Sequence, residues 1–256
     1  MERQWANYPS LAGKRVLITG GATGIGAALV AAFSRQRAQV AFLDIAGDDA
    51  EALCARMKAG GLPMPLFRHC DLVDLIALEA SINFIVAQMG DIDVLVNNAA
   101  NDQRHELETL QPAEWDRLAA VNQRPMFFTC QAVVPSMRRR GGGVIVNMGS
   151  IGWHIKSPGY PAYAMAKAAA SGLTRGLARD LGRDGIRVNT VAPGWVMTER
   201  QLALWVDAAA EDDIRRNQCL PGRLAPVDVA AMVMFLAADD GAMCTGQEYI
   251  VDAGWS

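Results

Sequence analysis

The segment Val16-Leu17-Ile18-Thr19-Gly20-Gly21-Ala22-Thr23-Gly24-Ile25-Gly26 decides the fold. Its first four residues form a short apolar run of the kind that makes a buried strand. The glycines then let the chain turn sharply. From Gly24 onward Ile25, Leu29, Ala32 and Phe33 fall on one face at helical spacing, which predicts a helix beginning there. A strand, a glycine turn and a helix N-terminus together make a seat for a pyrophosphate. Glycine admits the anion close to the backbone, and the unpaired N–H groups and dipole of the helix favour it. The spacing is G-x-x-x-G-x-G, not G-x-G-x-x-G, and a plain helix-capping loop is the alternative reading.

The rest of the 256-residue chain repeats the alternation of short apolar run and longer helical pattern. Strands are expected at Val16–Thr19, Val40–Leu43, Leu66–His69, Val94–Asn97, Val144–Met148, Arg187–Val191 and Tyr249–Val251. Helical patterns lie around Asp48–Lys58, Asp74–Gln88, Ala113–Arg138, Ala162–Leu181 and Pro226–Ala238. This order predicts one α/β domain spanning residues 1–256, with a doubly wound parallel sheet. Thr198–Gln218 reads as an irregular, partly helical insertion, long enough to serve as a substrate loop. Hydrophobic residues make up 51% of the chain, enough for a sheet covered on both faces. The net charge of −3 gives no basic surplus for nucleic acid. No apolar run is long enough to span a membrane, and the N-terminal MERQWANYPSLAGKR has no secretion-signal core. Five cysteines without paired spacing predict reduced thiols in a cytoplasmic protein, and no His/Asp/Glu grouping has metal-ligand spacing.

Chemistry-bearing residues cluster at the expected carboxyl ends of the strands. Asp44 closes the second strand, where an acid can bind a ribose 2′-hydroxyl and repel a 2′-phosphate; an ordinary strand-end residue is the alternative. Asp71 follows the third strand, Asn97-Asn98-Ala99-Ala100 ends the fourth, and Ser150 follows the fifth. Tyr163 and Lys167 stand one helical turn apart on the next helix, roughly 6 Å of rise. A phenol loses its proton only near pH 10. An ammonium about 4 Å away in a partly shielded site favours the phenolate by about 4 kcal/mol, on the order of three pKa units. Asn122, inside the expected long helix, is either a satisfied core amide or part of a proton path. A surface contact is the alternative for the Tyr163/Lys167 pair.

The set TGGATGIG, Asp44, Asp71, NNAA, Asn122, Ser150, Tyr163-x-x-x-Lys167 and PGWVMT resembles the short-chain dehydrogenase/reductase family over nearly the whole chain. The resemblance implies a single Rossmann-type domain with a seven-stranded parallel sheet, a homotetramer, and NAD as cofactor. It implies that Tyr163 is the general acid/base, that Lys167 lowers its pKa and holds the nicotinamide ribose, that Ser150 orients the reacting oxygen, and that Asn122 positions a relay water. It places the cofactor against Gly20, Thr23, Gly24, Ile25, Gly26, Asp44, Ile45, Asp71, Leu72, Asn98, Ala99, Ala100, Tyr163, Lys167, Pro193, Gly194, Val196 and Thr198. Ala100 departs from the family's usual glycine and adds a methyl group near the cofactor.

The expected substrate wall combines Asn101, Arg104 and His105 with Ser150, Trp153, His154, Tyr163, Trp195 and Gln201. Amides, imidazole, guanidinium and indole suit a sugar, which presents hydroxyls and an apolar C–H face; core, interface or solvated positions are the alternative for these residues. NNAANDQRHEL, GSIGWH, QCLPGR and CTGQEYIVDAGWS are similar to the family's bacterial aldose 1-dehydrogenases, acting on D-xylose, L-arabinose and related sugars. That likeness implies oxidation of the anomeric hydroxyl to a lactone. Another polyol, a hydroxy acid, a 3-oxoacyl substrate, and a non-catalytic NAD-binding sensor are the other readings. The apolar C-terminal residues Tyr249, Ile250, Val251 and Trp255 are expected to supply an oligomer contact.

Overall fold

The computed structural model describes residues 4–256; the first three residues of the N-terminal stretch read above lie outside them. Seven strands, β1 (Arg15–Thr19), β2 (Gln39–Asp44), β3 (Leu66–His69), β4 (Val94–Asn97), β5 (Gly143–Met148), β6 (Ile186–Pro193) and β7 (Glu248–Val251), form one sheet in the order β3-β2-β1-β4-β5-β6-β7. Every neighbouring pair is parallel. This is the Rossmann-type doubly wound sheet in a single domain. Its strand order reverses between β1 and β4, and the carboxyl ends flanking that point form a crevice suited to ligands.

Side-chain alternation explains why both faces are covered. Val16 and Ile18 point to one side with Val40, Phe42, Val94 and Val96. There they meet Leu29, Val30 and Phe33 of α1 (Gly24–Arg35) and Val229, Val233 and Met234 of α9 (Pro226–Ala237). Leu17, Ala41, Leu43, Leu95 and Ile145 point to the other side. They meet Leu78, Ile82 and Ile85 of α3 (Leu75–Met89) and Cys130, Val133 and Met137 of α5 (Arg124–Arg140). Each of the large side chains among these contributes about 1.5–3 kcal/mol by leaving water, so neither face can be exposed without losing the fold. The second crossover helix, α2, spans Gly47–Ala59.

Two expectations are corrected. The stretch Ala113–Arg138 is not one helix but two, α4 (Pro112–Asn122) and α5. Gln123 sits between them at φ −119° and ψ −56°. The break follows from Pro125, which has no N–H for an i→i−4 bond and disfavours helical geometry at the residue before it. Thr198–Gln218 is also more regular than its composition suggests. It holds α7 (Glu199–Leu204) and α8 (Ala208–Asn217), capped by the side chains of Thr198 and Asp207, which accept from Gln201 N–H and Ala210 N–H. Among the described residues, no helix is long and apolar enough to cross a membrane.

Candidate active site

A buried polar chain holds the carboxyl ends of the central strands in place. Asn97 donates to Asn147 Oδ1 at 2.9 Å, Asn147 donates to Thr174 Oγ1 at 2.9 Å, and the Thr174 and Thr190 hydroxyls are hydrogen-bonded at 2.8 Å. The chain runs from β4 through β5 to β6 and takes in α6 (Pro161–Leu181), so α6 is pinned beside the sheet edge by satisfied hydrogen bonds. Asn97 is thus a structural amide, and Asn98 is the residue facing the glycine turn. Its Nδ2 donates to the carbonyls of Thr19 at 3.1 Å and Gly20 at 2.8 Å.

The glycine turn has room for nothing larger. A Cβ on Gly26 would lie 1.8 Å from the Gly20 carbonyl oxygen, and one on Gly20 would lie 2.7 Å from Ala99 Cα with φ already at +67°. The first intrahelical bond of α1 runs from Ala27 N to Thr23 O at 3.0 Å. The N–H groups of Gly24, Ile25 and Gly26 therefore have no partner within the helix, which is the donor set an anion needs. At the end of β2, Asp44 accepts from Ala22 N at 2.8 Å and from Ala46 N at 2.9 Å, one bond on each oxygen, which leaves lone pairs for further donors. Ile45 follows, well exposed. Asp71 accepts from Val73 N at 2.9 Å in the turn after β3, next to the half-buried Leu72. This edge fits the phosphates and ribose of a dinucleotide.

Beyond the turn lies a cavity of about 790 Å³. Its wall includes Ile25, Asn98, Ala100, Pro193, Gly194, Val196 and Thr198 on one side, and Arg104, Ser150, Tyr163, Lys167, Trp195 and Gln201 among the others. Asp102, Tyr160, Asp213, Arg216 and Trp255 also line it and were not expected there. Asn101, Trp153 and His154 do not line it. The main-chain N–H and C=O of Asn101 are both held by the Asn122 amide, at 2.8 and 3.0 Å. Trp153 ends a short 3-10 turn after Ser150 and stacks on His154, whose Nε2 lies 3.1 Å from Glu248 Oε2 on β7. That turn carries both rings toward the sheet edge. His105 is not solvated either: Nδ1 lies 3.1 Å from the Gln103 carbonyl, and Nε2 accepts from Ala162 N at 3.2 Å in the first turn of α6. Trp255 packs against Trp195 within the chain, ring centroids 6.4 Å apart.

The electrostatics of Tyr163 differ from the simple pairing drawn from spacing. Lys167 is buried, and its Nζ donates to the Met148 carbonyl at 2.8 Å, 5.7 Å from the Tyr163 ring centroid. Burial pushes the lysine down to about 8, against an upward pull from Asp102. Burial also raises the Tyr163 phenol, with Asp102 and Tyr160 adding to the rise. A hydrogen bond with Ser150 and the Arg104 charge oppose it. Tyr163 keeps part of its surface open to the cavity, so entering water tempers that rise. Arg104 is held for this role, its guanidinium 3.9 Å from the Tyr160 ring centroid and 5.1 Å from that of Trp205. Arg104 is thus a cation that favours ionisation of the phenol, and Lys167, one turn along α6, is a buried amine anchored to the end of β5.

The family model described as Enoyl-(Acyl carrier protein) reductase matches residues 20–256. A D-xylose 1-dehydrogenase from Caulobacter vibrioides is 52% identical over 250 residues, covering 98% of this chain and 98% of its own. A probable galactose dehydrogenase from Rhizobium meliloti is 45% identical over 97% of each chain. Among solved structures, a 7 alpha-hydroxysteroid dehydrogenase complexed with NADH and 7-oxo glycochenodeoxycholic acid superposes with a TM-score of 0.91 at 30% identity, covering 97% of this chain and 96% of that one. The family match over residues 20–256, the relatives at 52% and 45% identity and the shared fold show the same thing: the chain is an oxidoreductase of the short-chain dehydrogenase/reductase family.

Proposed function

We propose that the chain oxidises the anomeric C1 hydroxyl of an aldose, a pentose such as D-xylose or L-arabinose or a related sugar, to the lactone with NAD. The observation that carries this is the wall around Tyr163. Asp102, Gln201, Arg104 and Ser150 offer acceptors and donors to hydroxyl groups, while Trp195 and Trp255 offer an apolar face to C–H bonds. A steroid or acyl chain would cover these groups without supplying partners for the donor and acceptor capacity their protein contacts leave over. The sugar names of the relatives at 52% and 45% identity support the same reading.

NAD, when bound, supplies the hydride acceptor. Gly20, Thr23, Gly24, Ile25, Gly26 and Asn98 would hold its phosphates, Asp44 would accept from its ribose hydroxyls and disfavour a 2′-phosphate, and Ile45, Asp71 and Leu72 would border the adenine. Ala99, Ala100, Pro193, Gly194, Val196 and Thr198 would flank the nicotinamide half. Tyr163 accepts the proton of the C1 hydroxyl, and Ser150 donates to that oxygen as charge develops. Asn122 fixes the main chain of Asn101, so it sets the loop that carries Asp102 and Arg104. Trp115, Phe127 and Met165 stand exposed on α4, α5 and α6, which supports a homotetramer built on these helices.

The test is absorbance of reduced nicotinamide with pentoses, hexoses and non-sugar alcohols, each with NAD and NADP. Turnover of an aldose with NAD is expected. Turnover confined to non-sugar alcohols would replace the substrate class, and no turnover with any alcohol would favour a binding protein.

A further inference from the structure

Asp102 follows the NNAAN segment directly, yet neither spacing nor position marks it in the sequence. In the structure it is the meeting point of two loops across the cavity. Its Oδ2 accepts from Gln201 Nε2 at 2.6 Å and its Oδ1 from Arg200 Nε at 3.1 Å. Gln201 in turn accepts from Trp195 Nε1 at 2.9 Å. The loop after β4 is thereby joined to α7 and to the segment after β6. Each Asp102 oxygen has one donor, and an ionised carboxylate offers about four acceptor sites, so the face turned to the cavity retains acceptor capacity. Asp102 is only 19% exposed in its side chain, a setting in which that capacity is not dissipated into bulk water.

The position is costly for acid–base chemistry. The Asp102 charge acts against ionisation of Tyr163, the group that needs to accept a proton. A carboxylate that only tied two loops together would do so equally well farther from the phenol. A carboxylate beside the reacting group is explained by the substrate, and two adjacent hydroxyls are the groups that donate to it in bidentate fashion.

Resting on the aldose reading above, we propose that Asp102 is a substrate-contacting, specificity-determining residue that accepts hydrogen bonds from adjacent hydroxyls of the sugar ring. The ligand class is a neutral vicinal diol, held by Asp102 on the same wall as Trp195. Gln201 and Arg200 fix the carboxylate's orientation before the sugar arrives.

The experiment compares wild type, Asp102→Ala and Asp102→Asn on the best parent aldose and on its monodeoxy analogues, one ring position at a time. For Asp102→Ala, kcat/KM for the parent falls about 10- to 150-fold, chiefly through KM, while the NADH dissociation constant stays at the wild-type value. In wild type one or two deoxy positions carry a penalty of that size, and in Asp102→Ala the same positions carry none. A role limited to holding the loops would slow parent and analogues alike and leave their ratio unchanged. Should the alanine variant unfold, Asp102→Asn, which loses the charge and one of the two acceptor oxygens, should shrink the same penalties in part.

A second readout is the pH profile. Tyr163 is faced by Asp102 and Arg104 from the loop after β4, by Ser150 after β5, by Tyr160 just before its own helix and by Lys167 on it; Asp213 and Arg216 of α8 also line the cavity. Removing the Asp102 charge alone moves the ascending limb of kcat/KM to lower pH. Equal parent-to-deoxy ratios in wild type and both variants, at every ring position, would overturn the proposal. Absence of wild-type turnover on any aldose would overturn the aldose reading itself, a result visible in the same assay.

Discussion

Replacing Lys167 with methionine should leave the protein at least as stable as wild type at neutral pH. The amine is 2% exposed, and burial takes its pKa from 10.5 to about 8. A tenfold loss of proton affinity is worth about 1.4 kcal/mol, so holding this ammonium in the fold costs about 3 kcal/mol at neutral pH. Methionine is of similar length and carries no charge, so the variant is relieved of that cost. It also leaves the Met148 carbonyl without its 2.8 Å donor, a loss of about 1–3 kcal/mol. The variant is therefore expected to be as stable as wild type, or up to about 2 kcal/mol more stable, at pH 7. A packed side chain of this size with no such penalty would instead lose stability. The pH dependence sharpens the test. A lysine with a depressed folded-state pKa releases its proton on folding between about pH 8 and 10.5, so this group makes stability rise with pH through that window. Below about pH 8 the cost is fully present. The variant lacks the group, and its advantage over wild type should shrink by about 2–3 kcal/mol between pH 7 and pH 10. Urea unfolding followed by tryptophan fluorescence at both pH values measures this. A difference between the two proteins that does not change with pH, or a variant several kcal/mol less stable at pH 7, would refute the reasoning.

Other outcomes follow from single contacts. Gly26→Ala drives a methyl into the Gly20 carbonyl; a loss of about 1–3 kcal/mol in unfolding free energy and weaker NADH binding by calorimetry are expected. Asp44→Asn keeps a carbonyl acceptor for only one of the Ala22 and Ala46 N–H groups and drops the charge, and should narrow the NAD-to-NADP ratio of kcat/KM by about tenfold. His105→Ala leaves the Ala162 N–H at the start of α6 without its acceptor; a stability loss of about 1 kcal/mol and a matching fall in kcat are expected from unfolding curves and steady-state rates.

The sheet was legible because strand content depends on local pattern. Val16–Thr19, Val94–Asn97 and Val144–Met148 are short, mostly apolar or β-branched runs bounded by turn residues, and the strands form where those runs lie. Asp44 as the last residue of β2 was readable for the same reason. The break at Gln123 was present in the sequence as Pro125, but the apolar periodicity on either side concealed it. The caps at Thr198 and Asp207 were likewise visible residues whose helices lacked an apolar stripe strong enough to announce them.

Side-chain direction was the information missing from the site. Spacing put Lys167 and Tyr163 on one helix face. It could not show that the carbonyl of Met148, brought near by β5, captures the amine. Trp153 and His154 follow Ser150 closely, yet the turn there sends His154 to Glu248, 94 positions away in the chain. Asp102 reaches the cavity through partners 98 and 99 positions away, and Trp255 through its packing on Trp195. Such contacts are set by the topology of the whole sheet, and no local pattern encodes them.

The most direct test of the central claim is the turnover of Tyr163→Phe, a change that removes the phenolic oxygen and keeps the ring packed on Tyr160. With NADH binding at the wild-type level, sugar oxidation should fall by about 10²- to 10⁴-fold. Turnover close to wild type in that variant would contradict a mechanism in which Tyr163 takes the proton.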